Sequence, residues 1–188
     1  MCTNQIDVRT TRLWLRAPRD GDAERLHALL ANWAVIRWLS APPWPYTLAH
    51  AREWIAARDA ASTGLIPAAI TLDGGLIGVI TAIRKPQSAI QREAGYNLGY
   101  WIGEPFWGRG YMSEAAHGFL AHVFATISDD VIHSGALKDN AASLRIQEKL
   151  GFARWGEGMG FSNPHQKDVW HTNTVLTRAS FARCANAA

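Results

Sequence analysis

One stretch constrains this chain more than any other: Gly99 to Ala115 reads G-Y-W-I-G-E-P-F-W-G-R-G-Y-M-S-E-A. A strand-like run ends in a bulky aromatic corner, Gly108-Arg109-Gly110 follows, and an amphipathic helix begins at once. The two glycines let the backbone turn tightly and leave no side chain over its amides. The helix start adds N–H groups without intrahelical partners and the positive end of a dipole. The product is an anion cradle suited to a phosphate or pyrophosphate.

Spelling narrows the kind of cradle. Gly103 to Gly110 has the spacing of a Walker A loop, but Arg109 stands for the lysine and Gly110 for the magnesium-holding hydroxyl. A dinucleotide fingerprint needs a third glycine where Ser113 stands, and belongs in the first βα unit of its domain. A nucleotide triphosphatase and a Rossmann dehydrogenase are both disfavoured.

The rest of the chain supplies strands and helices around this unit. Leu13 and Leu15 alternate with Trp14 and Arg16, a strand pattern. Asp20 is expected to cap a helix carrying Leu26, Leu29, Leu30 and Trp33 on one face. Three prolines make Ser40 to Tyr46 a loop, after which Thr47 caps a second helix with Ala51, Trp54 and Ile55 inward. Ala68–Leu72 and Leu76–Ile83 flank Asp73-Gly74-Gly75 as a hairpin. Tyr96–Ile102 is the strand that leads into the cradle. Met112, Ala115, Ala116, Phe119, Leu120, Val123 and Phe124 then form one helical stripe. Val131–Leu137 reads as a strand. Asn140 caps a short helix that Gly151 ends in a left-handed C-cap with Phe152 packing back. Closing strands are expected near Ala153–Glu157 and Val169–Leu176. Pattern alone gives a mixed α/β sheet.

At 188 residues, 48% apolar and 19% charged, one globular domain over residues 1–188 is expected. A net charge of +3 without a long basic block gives no case for nucleic acid. Cys2 and Cys184 sit near opposite ends and make neither a disulfide framework nor a metal spacing. His117 and His122 are five apart, off one helical face, and no metal site is expected. The polar start and the absence of a long apolar run predict no membrane span and a cytoplasmic location.

Two blocks carry a family resemblance. Gly99-Tyr100-Trp101-Ile102 with Trp107-Gly108-Arg109-Gly110-Tyr111 and Glu114-Ala115 resembles the acetyl coenzyme A loop of the GNAT N-acetyltransferases. Asn140-Ala141-Ala142-Ser143-Leu144 with Glu148-Lys149-Leu150-Gly151-Phe152 resembles the second signature of their Rim-type branch, which acetylates protein N-termini and small amines. The likeness runs loosely from Thr11 to Arg178. It implies a mostly antiparallel sheet flanked by helices, with central strands Tyr96–Ile102 and Val131–Leu137 splayed around the pantetheine arm.

The resemblance also implies roles. The amides of Arg109, Gly110, Tyr111, Met112 and Ser113, with Gly108, would hold the pyrophosphate. Trp101, Ile102 and Gly103 would offer backbone groups to the arm. Asn140 divides between a helix cap and a cofactor contact, and Lys149 between the adenosine end and solvent. Ser143 would donate to the departing sulfur. Asn97 stands at a catalytic position where the branch often has Glu, and Asn cannot act as a general base. Glu93 is the nearest acidic alternative, though an exposed charge is the better reading of it. Pro105 departs from the wider superfamily without harm to a loop that works through its backbone. The early helices, the Trp44 loop and the Trp170–Thr172 hairpin would hold the acceptor, with Trp33, Trp38, Trp44 and Tyr46 as an aromatic mouth.

The implied reaction is direct attack of a primary amine on acetyl coenzyme A in a ternary complex, without metal. A peptide or protein α-amine is the expected acceptor. A small amine such as an antibiotic or polyamine, or a non-catalytic acyl-CoA-binding module, are the alternatives. A homodimer is a further option.

Overall fold

The computed structural model describes residues 6–57, 64–89 and 91–185. Its eight strands are β1 (Asp7–Arg9), β2 (Trp14–Arg16), β3 (Leu65–Leu72), β4 (Gly75–Lys85), β5 (Gly95–Ile102), β6 (Val131–Leu137), β7 (Ala153–Ser162) and β8 (Lys167–Thr177). They form one sheet in the order β1-β2-β3-β4-β5-β6-β8-β7. Every neighbouring pair is antiparallel except β5 and β6. The helices are α1 (Ala23–Leu30), α2 (Trp33–Ile36), α3 (Leu48–Ala56), α4 (Tyr111–Thr126), α5 (Ala141–Lys149) and α6 (Arg178–Ala185).

The sheet separates two cores. On one face α4 buries Met112, Ala115, Ala116, Phe119, Leu120, Val123 and Phe124 against Leu15, Ile70, Ile80, Leu98, Ile132 and Leu176. This is the apolar stripe read from spacing. On the other face α1, α2 and α3 bury Leu26, Leu30, Ile36 and Ile55 against Ala69, Leu76 and Val79. Asp73 (φ 50°) and Gly74 (φ 83°) both turn left-handed between β3 and β4, the type I′ hairpin their identities call for. Thr47 caps α3 by accepting from the His50 amide at 3.3 Å. α5 ends as expected: Gly151 takes φ 92°, its N–H donates to the Glu148 carbonyl, and the Phe152 N–H donates to Gln147. That is the paired bonding of a Schellman cap.

Four expectations are corrected. Asp20 does not cap α1; it opens a 3-10 turn, and Asp22 precedes the helix. The Asp22 carboxylate accepts two bonds from the buried Arg16 guanidinium, at 2.7 and 2.8 Å, and one from the Arg19 amide. Burial opposes its ionisation, but these bonds outweigh it and hold its pKa below the usual carboxylate range. Trp33 is not on α1. The helix stops at Leu30, and Asn32 caps a new one by accepting from the Ala34 amide. The closing strands run longer than expected. β1 and α6 were not anticipated: three residues are too few to show a period, and α6 carries only a weak apolar stripe. Cys2 lies outside the described residues.

Candidate functional site

β5 and β6 pair at only two positions, Tyr96↔Ile132 and Asn97↔His133, and then diverge. Side chains tie off the parted backbones. The Ser134 hydroxyl donates to the Leu98 carbonyl at 3.0 Å, and the Gln147 amide to the Gly135 carbonyl at 3.3 Å. A cleft of about 1260 Å³ passes through this gap and connects the two faces of the sheet. Strand alternation sorts the β5 residues between those faces. Trp101 packs toward the α1–α3 core, with Asn97 and Gly99 in phase with it. Leu98, Tyr100 and Ile102 point to the α4–α5 side.

The cradle lies at one end. Gly108 and Gly110 take φ 75° and 78°, and Gly110 is the N-cap of α4. A side chain would be strained at both positions. The first intrahelical bond runs from the Glu114 amide to the Gly110 carbonyl, so the amides of Tyr111, Met112 and Ser113 have no helical acceptor. Gly108, Gly110, Tyr111, Met112 and Ser113 all line the cleft; Arg109 and Gly103 do not. The Met112 side chain is core, which leaves its backbone to face the cleft. Gly103 donates its amide to the Ile77 carbonyl, and the Ile102 carbonyl accepts from the Trp107 indole at 2.8 Å.

Arg12 was not anticipated here, yet it fixes the loop. It donates to Glu114 at 2.6 Å and to the Arg109 carbonyl at 3.0 Å, and stacks over Tyr111. Burial opposes ionisation of Glu114, but bonds from Thr10 and Arg12 keep its pKa low.

α5 supplies the near wall. Asn140 lines the cleft, but its side-chain oxygen caps α5 by accepting from the Ser143 amide at 3.1 Å. The Ser143 hydroxyl lies 3.0 Å from the Tyr100 hydroxyl and 3.3 Å from the Gln147 amide nitrogen. Burial raises the Tyr100 pKa, against hydrogen bonds from Ser143 and Gln147, so the phenol keeps its proton. Tyr100 stood inside the recognised motif, but its partnership with Ser143 crosses 43 residues of sequence. Arg145 and Lys149 put positive charge on the same wall.

The far wall faces α1–α3 and differs from expectation. Trp38 and Tyr46 line the cleft; Trp33 and Trp44 do not. Those two rings meet at a 58° tilt with centroids 5.2 Å apart, and His165 packs edge-on against Trp33, outside the cleft. Burial, helped by Glu53, pushes the Tyr46 pKa up to about 12. Trp170 is 53% exposed and faces away; its neighbour His171 lines the cleft with Ser40. Asn97 is on the wall, whereas Glu93 is exposed and 3.9 Å from His133. Among the described residues no cluster of three His, Cys, Asp or Glu could hold a metal, and no helix is long and apolar enough to cross a membrane.

Comparison with known proteins agrees with this geometry. Residues 12–153 match the family described as acetyltransferase (GNAT) domain. A probable N-acetyltransferase of Bacillus subtilis, YjcK, is 29% identical over 104 residues, 55% of each protein. The putative ribosomal N-acetyltransferase YdaF of the same organism is 27% identical over 159 residues, 80% of this chain and 85% of that one. The match thus spans about half the length of the first relative and most of the second. Among solved structures, Mycobacterium smegmatis RimJ in complex with CoA-disulfide superimposes with a TM-score of 0.77 at 19% identity, over 97% of this chain and 93% of that one.

Proposed function

This chain belongs to the acetyltransferase (GNAT) family, and on that premise we propose that it moves an acetyl group from acetyl coenzyme A to the α-amine of a peptide or protein N-terminus. The observation that carries the reading is the through-sheet cleft. It has an anion cradle and cations at one end, a gap between parted strands in the middle, and an aromatic wall at the other.

The residues present fit the ligand. An added Cβ at Gly108 would meet nothing within 4 Å, so the loop is uncrowded there. Free amides at the start of α4 answer a diphosphate, and Arg145 and Lys149 answer further phosphate charge. Acetyl coenzyme A supplies the activated thioester when bound. The Ser143–Tyr100 hydroxyl pair, on the α5 side of the gap, donates to the sulfur as it departs. Parted β5 leaves backbone amides on its gap side to hold the developing oxyanion.

Amine chemistry supports an α-amine. At pH 7 an α-amine of pKa about 7.7–8.0 costs only about 1 kcal/mol to deprotonate, whereas a lysine-type amine near 10.4 costs about 4.6 kcal/mol. A site with no carboxylate at Asn97 suits the first. The likeness to YdaF, a putative ribosomal N-acetyltransferase, supports the same class. Thiol release is the test, with short N-terminal peptides set against polyamines and aminoglycosides. Turnover several-fold or more higher on peptides is expected. Faster turnover on the small amines would overturn the α-amine assignment.

A further inference from the structure

Asn97 leaves the reaction without the carboxylate that would take the amine's proton, and the cleft offers another group. His171 of β8 is 6% exposed and lines the cleft. It sits opposite Leu137 of β6, on the same sheet face as Asn173. Its Nδ1 lies 3.1 Å from the Val169 carbonyl, which can only accept, so Nδ1 carries the hydrogen. Nε2 therefore bears the lone pair, and the Ser40 hydroxyl donates to it across 3.0 Å. Ser40 is held there by the β7–β8 turn: its carbonyl accepts from the Asn163 amide at 2.9 Å, and the carbonyl of Leu39 accepts from the Ser162 hydroxyl. Two segments 131 residues apart thus fix one imidazole in one tautomer at the wall of the cleft.

We propose that His171, presented by Ser40, is the proton acceptor for the attacking amine; the inference rests on the acetyl-transfer reading above. The amine enters with its nitrogen toward the Ser40 hydroxyl. The carbon–nitrogen bond forms at the thioester carbonyl, one proton passes from nitrogen to the Ser40 oxygen, and the Ser40 hydroxyl proton passes to Nε2. The carbon–sulfur bond then breaks with its electron pair on sulfur. The second nitrogen proton ends on the thiol by way of the hydroxyl pair on the opposite wall. The imidazolium returns its proton to water. An ammonium and a thioester thus give an amide, a thiol and one released proton.

The surroundings favour a neutral imidazole. Burial lowers the His171 pKa, the Val169 bond opposes that, and the Lys85 charge lowers it further. The other charged or titratable groups around the same cleft are Arg37 after α2, Tyr46 before α3, His50 and Glu53 on α3, Tyr100 on β5, Tyr111 on α4, Asp139 after β6, and Arg145 and Lys149 on α5. A ring kept neutral in this way is available to accept a proton at neutral pH.

The test joins kinetics to spectroscopy. The wild-type kcat/KM on an N-terminal peptide is expected to show a limb that rises with pH below 6.5. His171→Gln should remove that limb and lower kcat by about 10²- to 10⁴-fold, with acetyl coenzyme A affinity within about twofold. Ser40→Ala should keep the limb but move it to higher pH, because the lost donor favoured the neutral ring. A His171→Gln enzyme that binds acetyl coenzyme A and keeps the wild-type kcat and limb would overturn the proposal. Independently of turnover, 15N NMR of the wild-type imidazole should show the Nδ1–H tautomer, uncharged at pH 7. An imidazolium at that pH would overturn it too. Absence of acetyl coenzyme A binding or of turnover on every amine, with that NMR signature present, instead defeats the acetyl-transfer reading.

Discussion

The two ends of the cleft are built by different strategies. The cradle end comes from one short stretch, Gly103 to Ser113, braced by Arg12 and by the Thr10–Glu114 bond. Its chemistry resides in the backbone, so side-chain identity matters little except where it must be absent. The end proposed for the acceptor collects Ser40 and Tyr46 from the loop between α2 and α3, Asn97 from β5 and His171 from β8. There the chemistry resides in side chains, and position depends on loops that meet only in the folded chain. A cradle made of amides tolerates almost any neighbour; the wall made of side chains is the part we propose selects the amine.

If that contrast holds, the cradle fails most sharply when a side chain is forced into it. Gly110→Glu combines left-handed strain of about 1–2 kcal/mol with a carboxylate among the amides meant for phosphate. Acetyl coenzyme A affinity should fall by at least about a hundredfold, roughly 3 kcal/mol by calorimetry. Gly110→Asn, which tolerates the backbone angle and adds no charge, should lose far less. Equal losses would mean that shape rather than charge governs the cradle.

Ser143→Ala sits between the two ends and should separate binding from chemistry. The departing thiolate belongs to a thiol of pKa near 8.5, so help at its departure is modest. We expect kcat to fall by about ten- to a thousandfold, no more than loss of an oxyanion donor. Affinity for acetyl coenzyme A should be nearly unchanged. Tyr100→Phe should act in the same direction, since the two hydroxyls are 3.0 Å apart. A normal kcat in the double variant would show the pair to be structural.

The same contrast explains what could be read from the sequence. The cradle, the α4 stripe, the Asp73-Gly74 hairpin and the Gly151 cap are local: their residues lie within a few turns of each other, and spacing carries the information. The parted strands were legible only through the family resemblance, because two paired positions leave no periodic trace. Trp33 was misassigned because it continues the apolar spacing of α1. Asn32, a good N-cap residue directly before it, was the signal that a new helix starts. The Ser40–His171 contact had no local signal at all, and a histidine in a strand reads as a filler until its partner is known.

The aromatic wall gives a smaller test. Trp38 lines the cleft, while Trp44 packs at a tilt against Trp33 outside it. Trp38→Ala should raise the peptide KM by about tenfold, in the range for one well-placed aromatic anchor, and Trp44→Ala by less than about twofold. A reversed order would place the acceptor on the outer surface, where Trp33, Trp44 and His165 meet.

The smallest effect concerns the point at which the two ends join. His133 pairs with Asn97 at the last register position before β5 and β6 part. It is 1% exposed, and neither ring nitrogen has a hydrogen-bond partner among the described residues. Burial lowers its pKa below 6.5; Glu93, 3.9 Å away, partly opposes this, and Arg92 adds to it. The folded protein therefore keeps the ring neutral at a pH where the unfolded chain protonates it. Below about 6.5 the unfolded state binds more protons, and stability falls as pH drops from there toward the folded pKa. His171 contributes with the same sign. The melting temperature should fall by a few degrees between pH 7 and pH 5, and His133→Phe should flatten part of that slope whatever it does to stability at pH 7. The remainder should disappear with His171→Gln. If the slope survives both changes, acid acts elsewhere, and not through the Arg16–Asp22 pair, whose stabilisation is intact in this window and is lost only as pH falls through the depressed Asp22 pKa.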